Sequence, residues 1–299
     1  MTNCNLHHRT GIAYALSYAA AELKKGIGIK KRVTKSEHGG QSPLIHSHST
    51  FNRYMGVAKE FVEYCKSNGA NKIFKIDEAI VLAFFQDRKI AIGLTESTIK
   101  VNLCATEKFL EAIGRGELAE MLRSHFSEIY SQGAASGRTE YFGDPHLVID
   151  HLKNDYHRCI AKLQYLSGAR IGDVKKIRTD MVGKQIFIAK SKGGRPRILD
   201  FSNRAEALIV VDQLCDELQG VHIPNLGWKQ LRENYYKDLK QAVKATKEIY
   251  TGAHAFRANY AHERREQLIN SGISEKEADK IVSEELGHSR PSMGRYYSS

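Results

Sequence analysis

Phe51, Tyr54, Met55, Ala58, Phe61, Val62 and Cys65 recur at i, i+3, i+4, i+7, i+10, i+11 and i+14. That is the spacing of one helix face, and it excludes a half-buried strand. Asn68-Gly69 ends the stripe as a helix stop signal. The same period predicts helices over 10–25, 77–89, 96–113 and 117–130, the third opened by Thr95-Glu96-Ser97-Thr98 in capping style. It lapses at Ser131-Gln-Gly-Ala-Ala-Ser-Gly137, a small, polar, glycine-bearing run suited to a linker. Beyond it, Leu147, Val148, Leu152, Tyr156, Ile160, Leu163 and Leu166 predict one long helix. Trp228, Leu231, Tyr235, Leu239, Ala242 and Val243 mark another. The period turns β-like once: Gln185–Ala189, a turn at Ser191-Lys-Gly-Gly194, and a returning run Arg197–Phe201. The expected fold is mainly α with a small β-hairpin. It divides into an N-terminal extension (1–45), a helical domain (46–132), a linker (133–144) and a second domain (145–299).

Two domains suit 299 residues, at about 100–200 residues each. A hydrophobic share of 41% with 14 Tyr, 11 Phe and 5 Pro excludes collagen-like and wholly disordered chains. No apolar run approaches the roughly 20 residues that cross a bilayer. Ile12–Ala21 contains Tyr14, Ser17 and Tyr18 and runs into Glu22-Leu23-Lys24-Lys25, so it reads as a helix and not an export signal. Five scattered cysteines without a CxxC fit a reducing cytoplasm. Lys and Arg number 45 against 34 Asp and Glu, a net charge of +11 that favours a polyanionic partner. The excess lies on both sides of the linker.

Several chemistries find no support. His46-Ser-His48 has no Cys or carboxylate at ligand spacing and reads as a solvated loop. There is no P-loop, GxSxG or HExxH. What remains is an ordered set in the second domain: Ser167-Gly-Ala-Arg170-Ile-Gly-Asp173, Lys192-Gly-Gly-Arg-Pro-Arg197, His254-Ala-Phe-Arg257, Leu286-Gly-His288-Ser289 and Arg295-Tyr296-Tyr297. Singly each has an ordinary structural reading. Together, each lies at an element boundary where a side chain can reach a cleft.

In this set the sequence resembles the tyrosine recombinase (phage integrase) family, over about 145–297. Ala169-Arg170-Ile-Gly-Asp173 is similar to the family's first arginine segment. Lys192–Arg197 is similar to its Lys-Gly-x-x-x-Arg hairpin, His254 and Arg257 to its His-x-x-Arg box, and His288 to its Leu-Gly-His-Ser box. The family's tyrosine follows nine residues after that histidine, which selects Tyr297 over Tyr296. The helices of 46–132 look like the core-binding domain that precedes this catalytic domain, on helix count and position alone. The resemblance implies a two-domain, C-shaped clamp on double-stranded DNA. It implies a site-specific recombinase acting through a 3′-phosphotyrosine, without ATP, metal or cofactor. It further implies a monomer in solution and a homotetramer on DNA, with accessory DNA-bending proteins as partners, in the cytoplasm of a bacterium or archaeon or encoded by a phage.

The chemistry agrees with those roles. Arg170 and Arg257 can clamp phosphate oxygens with paired donors as charge builds on them. A phenol of pKa about 10 needs deprotonation to attack, and neighbouring guanidiniums favour the phenolate. Tyr297 would be the nucleophile, Lys192 the general acid for the leaving 5′ oxygen, and His254 the base. His288 would donate to a phosphate oxygen, and Asp173 would buttress the cluster. Lys190 is the rival of Lys192, which the following glycines favour. Arg195 and Arg197 suit phosphate contacts. In the extension, so do Lys30, Lys31 and Arg32, which would grip DNA or a neighbouring protomer. The same residues would also serve a type IB topoisomerase, a telomere resolvase or a non-catalytic DNA-binding relative. Three departures from the family stand out, one being that the basic N-terminal extension is not an obvious arm-type DNA-binding domain. The charged stretch from Arg257 to His288 is long and predicts an extended helical hairpin at a subunit or DNA contact. The sequence ends two residues past Tyr297, so protomer coupling through a helix beyond the tyrosine is not expected.

Overall fold

The computed structural model describes residues 10–37, 42, 44–134, 140–174, 185–188, 197–200 and 222–288. The chain divides into two compact units, Met1–Ser136 and Gly137–Ser299.

The first unit is helical among its described residues. It contains α1 (Ile12–Lys24), α2 (Lys31–Glu37), α3 (His48–Ser67), α4 (Glu78–Phe85), α5 (Glu96–Ala112), α6 (Gly116–Ser124) and α7 (Phe126–Ser131). Side-chain caps set the starts of three of these helices. Ser47, Asp77 and Thr95 accept from the main-chain N–H groups of Thr50, Ile80 and Thr98, satisfying donors that an α-helix leaves unpaired. The core is built on Phe61, whose ring meets Phe84 edge-on at 5.1 Å between centroids. Cys65 lies in the same core, where burial pushes its thiol up to about 12, as suits a packing residue. The predicted helix 77–89 ends early, passing into a π-turn at Gln86–Ile90. The predicted helix 117–130 bends at His125 into α6 and α7.

The extension drawn at 1–45 is not separate from this unit. Ile12, Ala15 and Ala19 of α1 are buried in the same core as Phe61 and Phe109. The main chain locks the start of α1 in place, with Ile12 N donating to Asn71 O at 3.0 Å and Ile73 N to Thr10 O at 3.1 Å. A stripe of small apolar residues on one helix face needs a partner surface, and α3 and α5 supply it.

The second unit contains α8 (Pro145–Asp150), α9 (Asp155–Ser167), α10 (Ile171–Val174), β1 (Gln185–Ile188), β2 (Arg197–Asp200), α11 (His222–Thr246, broken at Gly227), α12 (His254–Asn270) and α13 (Glu275–Glu285). β1 and β2 pair antiparallel, Gln185 opposite Asp200 and Ile188 opposite Arg197; the residues joining them lie outside the described set. No described helix is long and apolar enough to cross a membrane. Residues 140–144, assigned to the linker by composition, are tied down. Asn259 bonds both the N–H and the carbonyl of Phe142, and the Glu248 carboxylate accepts from Gly143 N and Asp144 N.

The long helix predicted from 147 to 166 is two helices. Asn154 caps α9 by accepting from Tyr156 N and His157 N. From α11, the Asp238 carboxylate accepts from Lys153 N at 3.3 Å, Asn154 N at 3.4 Å and His157 Nδ1 at 2.7 Å. The apolar stripe runs on across the break because α8 and α9 face one core. Asp238→Ala, which strands three donors, is expected to cost about 2–4 kcal/mol of second-unit stability in urea unfolding. A loss below about 0.5 kcal/mol, the range of an ordinary surface change, would show that the carboxylate does not hold the turn.

Candidate active site

Three of the sequence-singled residues meet where the ends of α9 and α13 face the first turns of α12. Arg257 lies one turn into α12 and is wholly buried. Its Nη1 donates to the carbonyl of Gly168, the C-terminal cap of α9. Its Nη2 donates to the carbonyl of Leu286, the C-terminal cap of α13, at 2.6 Å. Helix ends leave carbonyls without intrahelical partners and carry partial negative charge. Two such ends therefore solvate a cation that burial would otherwise penalise heavily.

His288 completes the contact. Its Nε2 lies 3.0 Å from Arg257 Nη2 and 3.5 Å from Arg170 Nη2. A guanidinium can only donate, so Nε2 is the acceptor and the imidazole proton sits on Nδ1. The position of His288 follows from the way α13 ends. Gly287, at φ 67°, lets the chain turn left-handed, Gly287 N donates to Glu284 O at 2.8 Å, and His288 N donates to Ser283 O at 2.9 Å. This paired closure is the Schellman motif, and the Leu286-Gly-His288 string is its visible trace in the sequence.

Arg170 is held by a tight turn. Its N–H donates to Asp173 Oδ2 at 3.2 Å, and Asp173 N returns a bond to the Arg170 carbonyl at 2.8 Å. These Asp173 contacts therefore fix the main chain beneath Arg170. His254 opens α12 one turn before Arg257 and is half-buried. Lys192, its rival Lys190, Arg195, Tyr296 and Tyr297 lie outside the described residues. Arg197 falls in β2 and Arg32 in α2, while Lys30 and Lys31 are exposed at the start of α2. In the first unit, His46 is committed to protein partners, its Nδ1 to Ile29 O at 2.9 Å and its Nε2 to Ser42 Oγ at 2.6 Å. Among the described residues no group of three or more His, Cys, Asp or Glu is placed to hold a metal ion.

Gln164 and Tyr235 support the site although neither stands out in the sequence as a site residue. Gln164 is buried on α9, and its Nε2 reaches Ala169 O at 3.5 Å and Ala253 O at 3.4 Å, long contacts that join the Arg170 turn to the start of α12. Tyr235 donates to Gln164 Oε1 at 3.0 Å. Burial drives its phenol well above the ordinary value, so it stays a donor. The available signal was an amide on the apolar face of α9, where a polar side chain must find partners.

Gly168, within the Ser167–Asp173 motif, closes α9 in a tight space. At φ 61° its backbone is left-handed, and a Cβ there would sit 2.6 Å from Leu286 Cδ2 and 2.7 Å from Tyr260 Cδ1. Gly168→Ala should cost about 2–5 kcal/mol from strain and overpacking together, measured by urea unfolding. A change within about 0.5 kcal/mol would contradict this tight approach.

Comparison with known proteins bears on the same half of the chain. The model of the phage integrase family matches residues 148–299. No curated protein matches the sequence. The chain shares its fold with a lambda integrase dimer bound to a COC′ core site, at 17% identity and TM-score 0.69, covering 98% of this chain and 78% of that one. A lambda integrase tetramer bound to a Holliday junction is similar at 17% identity and TM-score 0.62, covering 97% of this chain and 78% of that one. The family match spans just over half the sequence and contains Arg170, Arg257 and His288, and the chain belongs to the phage integrase family, the tyrosine recombinases.

Proposed function

We propose that this protein is a site-specific DNA recombinase that breaks and rejoins duplex DNA through a covalent 3′-phosphotyrosyl intermediate. The observation that carries the reading is the convergence of Arg170, Arg257 and His288 around one small volume. Two guanidiniums and an imidazole collected from three separate helix ends form a site for an anion whose charge grows during reaction.

In the proposed reaction a non-bridging oxygen of the scissile phosphate takes over the Arg257 Nη2 donor that His288 now accepts. Arg170, half-exposed, supplies the second guanidinium. His254 accepts the phenolic proton of Tyr297, whose oxygen attacks phosphorus. The bond from phosphorus to the 5′ oxygen breaks, and Lys192 protonates the leaving oxygen. One phosphoester replaces another, so the linkage energy is kept and a second 5′ hydroxyl can reverse the step on a new strand. Neither ATP nor a metal enters this balance.

The two units would grip opposite faces of a duplex, with four protomers on a pair of exchanging sites. The lambda integrase structures of similar fold, a dimer bound to a core site and a tetramer bound to a Holliday junction, support DNA binding and assembly by four protomers. Exposed Lys30 and Lys31, with Arg32, Arg195 and Arg197, suit contacts to the phosphate backbone.

A nicked duplex that loses its 5′ fragment after cleavage traps the covalent species. With sites selected from random DNA, wild type is expected to form an SDS-stable adduct. Tyr297→Phe should form none, and Arg257→Ala should slow its formation by about 100-fold or more. An undiminished adduct in Tyr297→Phe would assign the nucleophile elsewhere, and absence of any adduct with wild type would overturn the reading.

A further inference from the structure

Behind the arginine cluster lies a carboxylate that none of the proposed steps uses. Glu285, the last residue of α13, accepts from Tyr260 Oη at 2.6 Å. It also accepts from Arg264 Nε and Nη2, each at 3.1 Å. Both donors come from α12, the helix that carries Arg257. The following residue, Leu286, contributes the carbonyl that holds Arg257 Nη2. The Tyr260 ring and the Leu286 side chain both border the space that a Cβ at Gly168 would occupy, and the Gly168 carbonyl holds Arg257 Nη1. Glu285 is therefore linked to both carbonyls that orient the guanidinium, to one through the main chain and to the other through the Tyr260 ring.

We infer that Glu285 is a positioning residue for Arg257. By anchoring the Tyr260 hydroxyl it fixes the ring against Gly168, and with it the separation of the two carbonyl acceptors. The inference rests on the reading above, in which Arg257 meets the scissile phosphate. A shift of the carbonyls would turn the guanidinium away from the oxygens on which charge develops, and misplacement by about 1 Å can slow a reaction about 100-fold. The bonds from Arg264 to the same carboxylate tie α12 to α13.

Single-turnover adduct formation at saturating DNA separates positioning from simple stability when two substrates are compared. One has the natural phosphodiester at the cut site. The other has a methylphosphonate, whose neutral linkage makes less demand on a guanidinium. Glu285→Ala should slow the phosphodiester reaction about 10–100-fold and the methylphosphonate reaction by no more than about 3-fold, with DNA affinity unchanged. Glu285→Gln, which keeps an oxygen for Tyr260, should stay within about 3-fold of wild type on both. If Glu285→Ala fails to fold, Tyr260→Phe removes only the hydroxyl and should show the same dependence on substrate. Equal slowing on both substrates, or none on the phosphodiester, would overturn the role of Glu285. Failure of wild type to form an adduct on either substrate would instead remove the underlying reading, and this inference with it.

Discussion

A buried guanidinium held by the carbonyl ends of two helices is the constraint on which the second unit depends. Arg257 has no exposed surface, and its nitrogens cap both α9 and α13. Removing it would leave two helix ends without those donors as well as a cavity. The same contacts bring together three segments far apart in sequence. Arg170 follows the end of α9 by three residues, His288 follows the end of α13 by three, and Arg257 stands one turn into α12. An interaction that stabilises the fold thus also assembles the cationic cluster, so fold and site are hard to vary separately.

The charged stretch between Arg257 and His288 shows how the same composition can serve two ends. Its length and charge predict a helical hairpin at a subunit or DNA contact. In the structure many of those charges are spent inside the hairpin. Arg264 meets Glu285, Arg265 meets Asp279 and Glu275, and Lys280 meets Glu277. Hydrogen bonding to Asp279 raises Arg265 above its ordinary pKa. Asp279 is buried, so its pair with Arg265 contributes more than the exposed pair of Lys280 with Glu277. Beneath the charges, Ala261, Leu268, Ala278 and Val282 form a small core that closes the hairpin.

Much of this was legible because local rules carry it. Helical periodicity located α1, α3, α5 and the greater part of α11. The family resemblance assigns Arg170, Arg257 and His288 to one site, and the fold brings the three side chains together. Long-range hydrogen bonds were not legible. The break before α9 is held by Asp238, more than eighty residues away, and nothing in the stripe from Leu147 to Leu166 records it. The docking of Phe142 by Asn259 likewise depends on a distant amide meeting two main-chain groups. The membership of α1 in the first core was hidden by the basic, glycine-bearing segment after it, which reads like a boundary. The pattern gives the face of each helix but not which face it meets.

The central claim is that Arg170, Arg257 and His288 surround a single phosphate. Its most direct test is an experimental structure of the protein bound to a duplex that it cleaves. The account predicts the scissile phosphate with non-bridging oxygens about 2.7–3.2 Å from both guanidiniums, and the Arg257 Nη2 bond to His288 replaced by one to phosphate. A scissile phosphate bound elsewhere, with Arg257 still fully engaged by Gly168, Leu286 and His288, would contradict it.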